Sequence, residues 1–166
     1  GAVDANGLPP HSITAVIDGG DATEIATTIQ LKKGQGVTPN GTTQITVADK
    51  YGNPHVIGFN RPVPVPVFIA ITIQAFTGYT SQIGVDMKTA IAAYINALTI
   101  GDDVLLSRVY SPAKLGVVSG GESRFYDITS LQIGKSAGTV AAANIAIGYS
   151  ESATCDVNNI SITVTS

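Results

Sequence analysis

Residues 67–76 alternate so strictly that only an extended strand accommodates them. Val67, Ile69, Ile71, Ile73 and Ala75 fall on one side, and Phe68, Ala70, Thr72, Gln74 and Phe76 on the other. Successive side chains of a strand point to opposite faces, so the first set makes an unbroken apolar face. β-branched residues dominate it, and they suit a pleated sheet better than a helix. Such a face has to be covered, and the elements around it show what is available.

Gly78 ends the strand, and an amphipathic helix follows with Thr80 or Ser81 as its cap. Ile83, Met87, Ile91, Tyr94, Ile95 and Leu98 recur at helical spacing and form its apolar stripe, which Gly101 closes. A second strand–turn–helix lies earlier. Residues 12–18 are short and β-branched and run into Gly19-Gly20. Asp21 caps the helix beyond, Glu24 sits three residues later as in a capping box, and Ala22, Ile25, Ala26 and Ile29 give one apolar face. Lys32 and Lys33 occupy the last turn, where they favour the negative dipole end, and Gly34 supplies the stop.

Between these units the pattern predicts a hairpin. Ile45 and Val47 alternate with polar residues on one arm and Ile57 and Phe59 on the other, and residues 49–54 carry turn chemistry with Gly52 at positive φ. Pro62, Pro64 and Pro66 cannot donate ladder hydrogen bonds, so this stretch is a bend or an edge. Residues 1–11 are expected to be extended, with turn signals at Asn6-Gly7 and Pro9-Pro10. Later, Asp102 is placed to cap a short helix using Leu105 and Val109, which Pro112 limits. Strands resume near 125–133, residues 134–155 show no clean period, and residues 160–165 alternate as a one-sided strand.

These elements give an α+β chain: mostly antiparallel mixed sheets with two or three helices packed on one face. Two α+β subdomains are expected, residues 1–76 and 77–166, with one continuous domain as the alternative. The 166 residues bury enough surface to fold without a metal or disulfide. The chain begins Gly-Ala-Val without Met, which reads as part of a longer protein, and no signal peptide opens it. No stretch reaches the ~20 apolar residues of a membrane span.

Composition narrows function. Charged residues make up 13% of the chain, about half the usual share, so the polar surface rests largely on Thr, Ser, Asn, Gln and Gly. Such a surface repels neighbours weakly and suits packing against other subunits, although the value is also compatible with ordinary variation. The net charge of −3 and nine basic residues argue against a nucleic-acid partner.

The residues that carry chemistry are few. His11 and His55 each lie beside proline with no Asp or Glu at helical spacing. Cys155 is the single cysteine, so it has no disulfide partner, and neighbouring Asp156 raises its pKa and disfavours the nucleophilic thiolate. Asp102, Asp103 and Glu151 match no metal-site spacing, and the two aspartates are better read as helix caps. The strand-to-helix turn 18–21 has the context of an anion site, but its two aspartates repel phosphate. Gly34-Gln35-Gly36 follows a helix, and the glycine-rich stretch 116–121 lies on no strand-to-helix junction. Phe125, Tyr126 and Tyr149 are the candidates for a sugar platform, with core packing the competing use. The expectation is no catalytic, cofactor-binding or metal-binding residues, no cofactor and no small-molecule substrate.

One resemblance adds to this reading. Residues 3–13, followed by Val16-Ile17-Asp18-Gly19-Gly20-Asp21 and Glu24-Ile25-Ala26, resemble baseplate J-like proteins of contractile-tailed bacteriophages, in their carboxy-terminal part. The similarity continues through Asp49-Lys50-Tyr51-Gly52, residues 57–62, residues 95–104 and Leu131-Gln132-Ile133-Gly134. It spans nearly all of the chain, and the first landmark is the most specific. The resemblance implies a non-catalytic virion protein of the tail baseplate, assembled in the host cytoplasm, whose partners are copies of itself and other tail proteins. Two alternatives stand beside it: the equivalent subunit of a phage-derived contractile injection device or bacteriocin, and a secreted adhesin or carbohydrate-binding module.

Overall fold

The computed structural model describes residues 2–4, 7–116 and 121–165. Among them are three α-helices and nine strands in small mixed and antiparallel sheets, an α+β fold. Two units separate at Pro62 and Val63. The sequence division at 76/77 assigned the long strand to the first unit, yet all of its ladder partners lie in the second.

In the first unit, Gly1–Pro62, strand β1 (Ser12–Ile13) pairs in parallel with β2 (Thr38–Pro39). The strand expected over 12–18 is therefore split. Its first residues bond the 38–40 segment, while Ala15 and Ile17 exchange backbone hydrogen bonds with Asn60. Helix α1 (Ala22–Lys32) starts where expected, with the Asp21 carboxylate accepting the N–H groups of Thr23 and Glu24 at 2.9 and 3.0 Å. Its end differs. Lys33 leaves the helix in an extended conformation, and the glycine in the left-handed region is Gly36, at φ +78°. Gly34 is thus a linker residue.

Hairpin strands β3 (Thr43–Ala48) and β4 (Pro54–Phe59) pair antiparallel as expected, with Ile45 opposite Ile57 and Gly52 at φ +86°. A small core of Ala26, Val47 and Ile57, with Ile29 and Ile45 against it, joins α1 to the hairpin. Two glycines permit a close backbone approach beside it. A Cβ on Gly41 would lie 2.2 Å from the Phe59 carbonyl carbon, and one on Gly58 would lie 2.6 Å from the Gly41 nitrogen.

In the second unit, β5 (Val63–Pro66) pairs in parallel with β8 (Glu151–Thr154). Val63 and Val67 donate to Ser150 and Thr154, while the prolines between and before them need no partner. The proline stretch is therefore an edge. Strand β6 (Phe68–Ala75) is the centre of a three-stranded sheet, flanked by antiparallel β7 (Tyr126–Gly134) and parallel β9 (Ile160–Thr165). Ile69, Ile71 and Ile73 are buried, as the alternation requires. The register with β7 slips between Thr72 and Ile73, where Thr129 is left over and its hydroxyl donates to the Thr72 carbonyl.

Helix α2 (Ser81–Asn96) contributes Ile83, Met87, Ile91 and Ile95 to the same core. Burying such side chains supplies roughly 1.5–3 kcal/mol each, and the sheet face and the helix stripe share one core. Thr80 holds the cap position of α2 without a side-chain bond. Helix α3 (Leu106–Ala113) ends one residue past Pro112. Asp102 does not cap it. Its carboxylate takes the Thr99 N–H and hydroxyl, and the Leu106 N–H is taken by Asn144 from a distant loop. Strand β8 had no period to announce it, because its four residues pair only along β5.

Candidate functional site

The carboxylates Asp102, Asp103 and Glu151 singled out for chemistry accept backbone N–H groups. Asp49 organises the hairpin turn: one carboxylate oxygen accepts the N–H groups of Tyr51 and Asn53, and the other meets the Asn53 amide and, at 3.1 Å, His55 Nε2. The Asn53 N–H above all, together with the His55 and Tyr51 contacts, holds the Asp49 carboxyl well below the usual carboxylate range. His55 thus has an acidic partner after all. It lies across a hairpin turn, where a search at helical spacing does not look. His11 adopts φ +57° and its carbonyl accepts the Thr38 N–H.

The acidic candidates are spread over separate backbone tasks. Asp103 accepts the Ile147 N–H at 2.8 Å, and Glu151 accepts the Gly148 N–H at 2.8 Å with Lys135 3.8 Å away. Among the described residues no group of three or more His, Cys, Asp or Glu is arranged to hold a metal ion. Cys155 is buried, and burial first, then the Asp156 charge, push its thiol up to about 11. It is protonated at neutral pH. Its backbone is clamped by Asn96, whose amide accepts the Cys155 N–H and donates to the Cys155 carbonyl, both at 2.9 Å.

The turn before α1 has an occupant that the sequence reading missed. Arg61 donates to the carbonyls of Ile17, Gly19 and Gly20, and its guanidinium lies 5.3 Å from the Phe59 ring centroid. The glycines, at φ +64° and +74°, turn their carbonyls outward, so a cation and not an anion seats there. Of the expected sugar platform, Tyr126 is buried with its hydroxyl on the Ala113 carbonyl and its ring edge-on to Tyr79. Phe125 lies against Gly78, and Tyr149 is half exposed. Of the three aromatics, Tyr126 is in the core and Phe125 packs against it, which is the competing use that the sequence offered. In the glycine-rich stretch 116–121, residues 117–120 lie outside the described residues, as does Asn6 of the first turn signal.

A cavity of about 530 Å³ opens in the first unit between the end of α1 and the β3–β4 turn. Lys33 lines it from the helix side and Lys50 and Tyr51 from the turn, with Leu31, Gln30 and Gln35 between. The Lys50 ammonium stands 4.8 Å from the Tyr51 ring centroid. The Lys32-Lys33 pair and the Asp49-to-Pro54 turn were both visible in sequence; their convergence was not, because it depends on how α1 packs on the hairpin.

No protein-family model matches the chain, and no curated protein matches its sequence.

Proposed function

We propose that this chain is a structural component of a bacteriophage tail baseplate that works by protein–protein assembly and not by catalysis. The single observation that carries the assembly reading is the outer edge of β9. This strand, Ile160–Thr165, pairs on one side with β6, and no described strand covers the other. None of its six residues is charged and none is proline, the devices by which folded proteins usually keep sheet edges unpaired. Val164 on it is half exposed. The outer hairpin face, with Gln44, Thr46, Ala48, Pro54 and Val56, is likewise uncharged.

Two further points support the reading. The carboxylates Asp102, Asp103 and Glu151 accept backbone N–H groups, which suits a scaffold. The baseplate assignment itself rests on the resemblance of residues 3–26 and the later landmarks. Sedimentation velocity over a wide concentration range tests the assembly role, alone and with purified tail proteins. Concentration-dependent association, reduced by Val164→Lys at the edge, is expected. A strictly monomeric chain that ignores tail proteins would overturn the proposal.

A further inference from the structure

We infer that the cavity between α1 and the β3–β4 turn is a docking pocket for an acidic, partly apolar polypeptide segment of a partner protein. The charges point to this occupant. Lys33 and Lys50 face one cavity from two different elements, and neither forms an ion pair with a described carboxylate. Asp49 is the only carboxylate in the lining, and its oxygens are taken by Tyr51, Asn53 and His55. The lining therefore carries two ammonium groups against one carboxylate, an excess of positive charge in a chain whose net charge is −3. Lys33 Nζ lies 3.4 Å from the Val37 carbonyl.

The remaining lining favours a peptide over a bare anion. Leu31 is 75% exposed and Tyr51 77%, large apolar surfaces beside the lysines, with the Lys50 ammonium standing on the Tyr51 ring. The volume falls within the range of pockets that enclose a ligand, and a few polar groups set among apolar ones fix its orientation. Carboxylates on the ligand would meet Lys33 and Lys50, and an aliphatic side chain would lie between Leu31 and Tyr51. This inference is independent of the tail assignment, since it concerns the chemistry of the partner and not its source.

The test is a titration of the isotope-labelled chain, followed by amide shifts, with the capped peptide acetyl-Leu-Glu-Glu-amide. Saturable shifts at Lys33, Gln35, Lys50 and Tyr51 are expected. The Gln-for-Glu peptide and the variants Lys33→Gln and Lys50→Gln should each bind about tenfold more weakly. Both substitutions are at the protein surface, and unchanged shifts elsewhere verify folding. Three results overturn the inference: no saturable shift at millimolar peptide, equal shifts from acetate at matched carboxylate concentration, or equal affinity for a single-stranded oligonucleotide of the same charge. Docking of the peptide by a chain that ignores tail proteins would sink the baseplate proposal and leave this one standing.

Discussion

The two units solve the same problem by different means. In Val63–Ser166, a sheet face of Ile69, Ile71 and Ile73 meets a helix stripe of Ile83, Met87, Ile91 and Ile95, and one core takes in both. In Gly1–Pro62, three buried residues join α1 to the hairpin, and beyond the backbone ladders much of the local order comes from side chains bonded to backbone. Asp21 caps the helix, Asp49 closes the hairpin turn, Asn60 holds Thr42, and Arg61 gathers three carbonyls. Apolar packing scales with buried area, whereas each backbone bond contributes about 1 kcal/mol and fixes one local geometry. The difference teaches that the first unit is specified point by point and the second collectively.

The sharpest way to break that contrast is to remove the same atoms from each core. Ile71→Ala, at a position 1% exposed, should destabilise the second unit by about 3–4 kcal/mol, with cooperative loss of the whole sheet. Ile29→Ala, partly buried on α1, should cost roughly half as much. Denaturant melts read through amide signals of each unit measure both. Equal losses would mean that the first unit has a core comparable to the second.

The next effect is a pH dependence confined to the second unit. Below pH 9 the Cys155 thiol is protonated in both folded and unfolded chains, whose ordinary value is 9.0, and stability is independent of it. Between 9 and about 11 the unfolded chain releases a proton that the folded chain keeps. Stability therefore falls as pH rises, by roughly 2–3 kcal/mol in all, and levels off above 11. Tyr126, pushed up to about 12 by burial first and then by the charges of Glu122 and Tyr79, extends the decline. Cys155→Ala should flatten the part between 9 and 11. An unaltered profile in that variant would show that the buried thiol is not responsible.

How much of this was legible follows the same divide. The β6 alternation, the α2 stripe and the two alternating hairpin arms were readable because periodicity is written into consecutive residues. The Asp21 cap was readable because its partners lie two and three residues away. Arg61 on the Gly19 and Gly20 carbonyls was not, since more than forty positions separate donor from acceptor and arginine has no local preference for such a turn. The same distance hid Asn96 on Cys155 and Asn144 on Leu106. Parallel pairing of β9 with β6 was hidden too, because alternation gives a strand two faces but no neighbour. The convergence of Lys33 with Lys50 belongs to the same class.

A smaller effect tests the first unit where the reading was local. Asp21→Ala removes the acceptor for two N–H groups at the start of α1 and should cost about 1 kcal/mol. The loss should appear in the first unit's melt and leave the second unit's unmoved. An unmoved first-unit transition would mean that Arg61 on the preceding turn suffices to start the helix.

The smallest effect concerns how α1 ends, where two glycines two residues apart should respond with opposite signs. Gly34 lies outside the left-handed region, and a Cβ there would meet only the Val37 side chain, at an ordinary 3.6 Å. Gly34→Ala should therefore be neutral or stabilising by up to about 0.5 kcal/mol, because alanine narrows the unfolded ensemble without straining the folded one. Gly36 sits at φ +78°, which an L side chain adopts only under strain, although nothing crowds the space around it. Gly36→Ala should cost about 1 kcal/mol through backbone strain alone. Thermal melts of the two variants decide the matter. If Gly34→Ala proved the costlier of the two, the helix would stop at a glycine cap after all, and the extended exit through Lys33 would have to be abandoned.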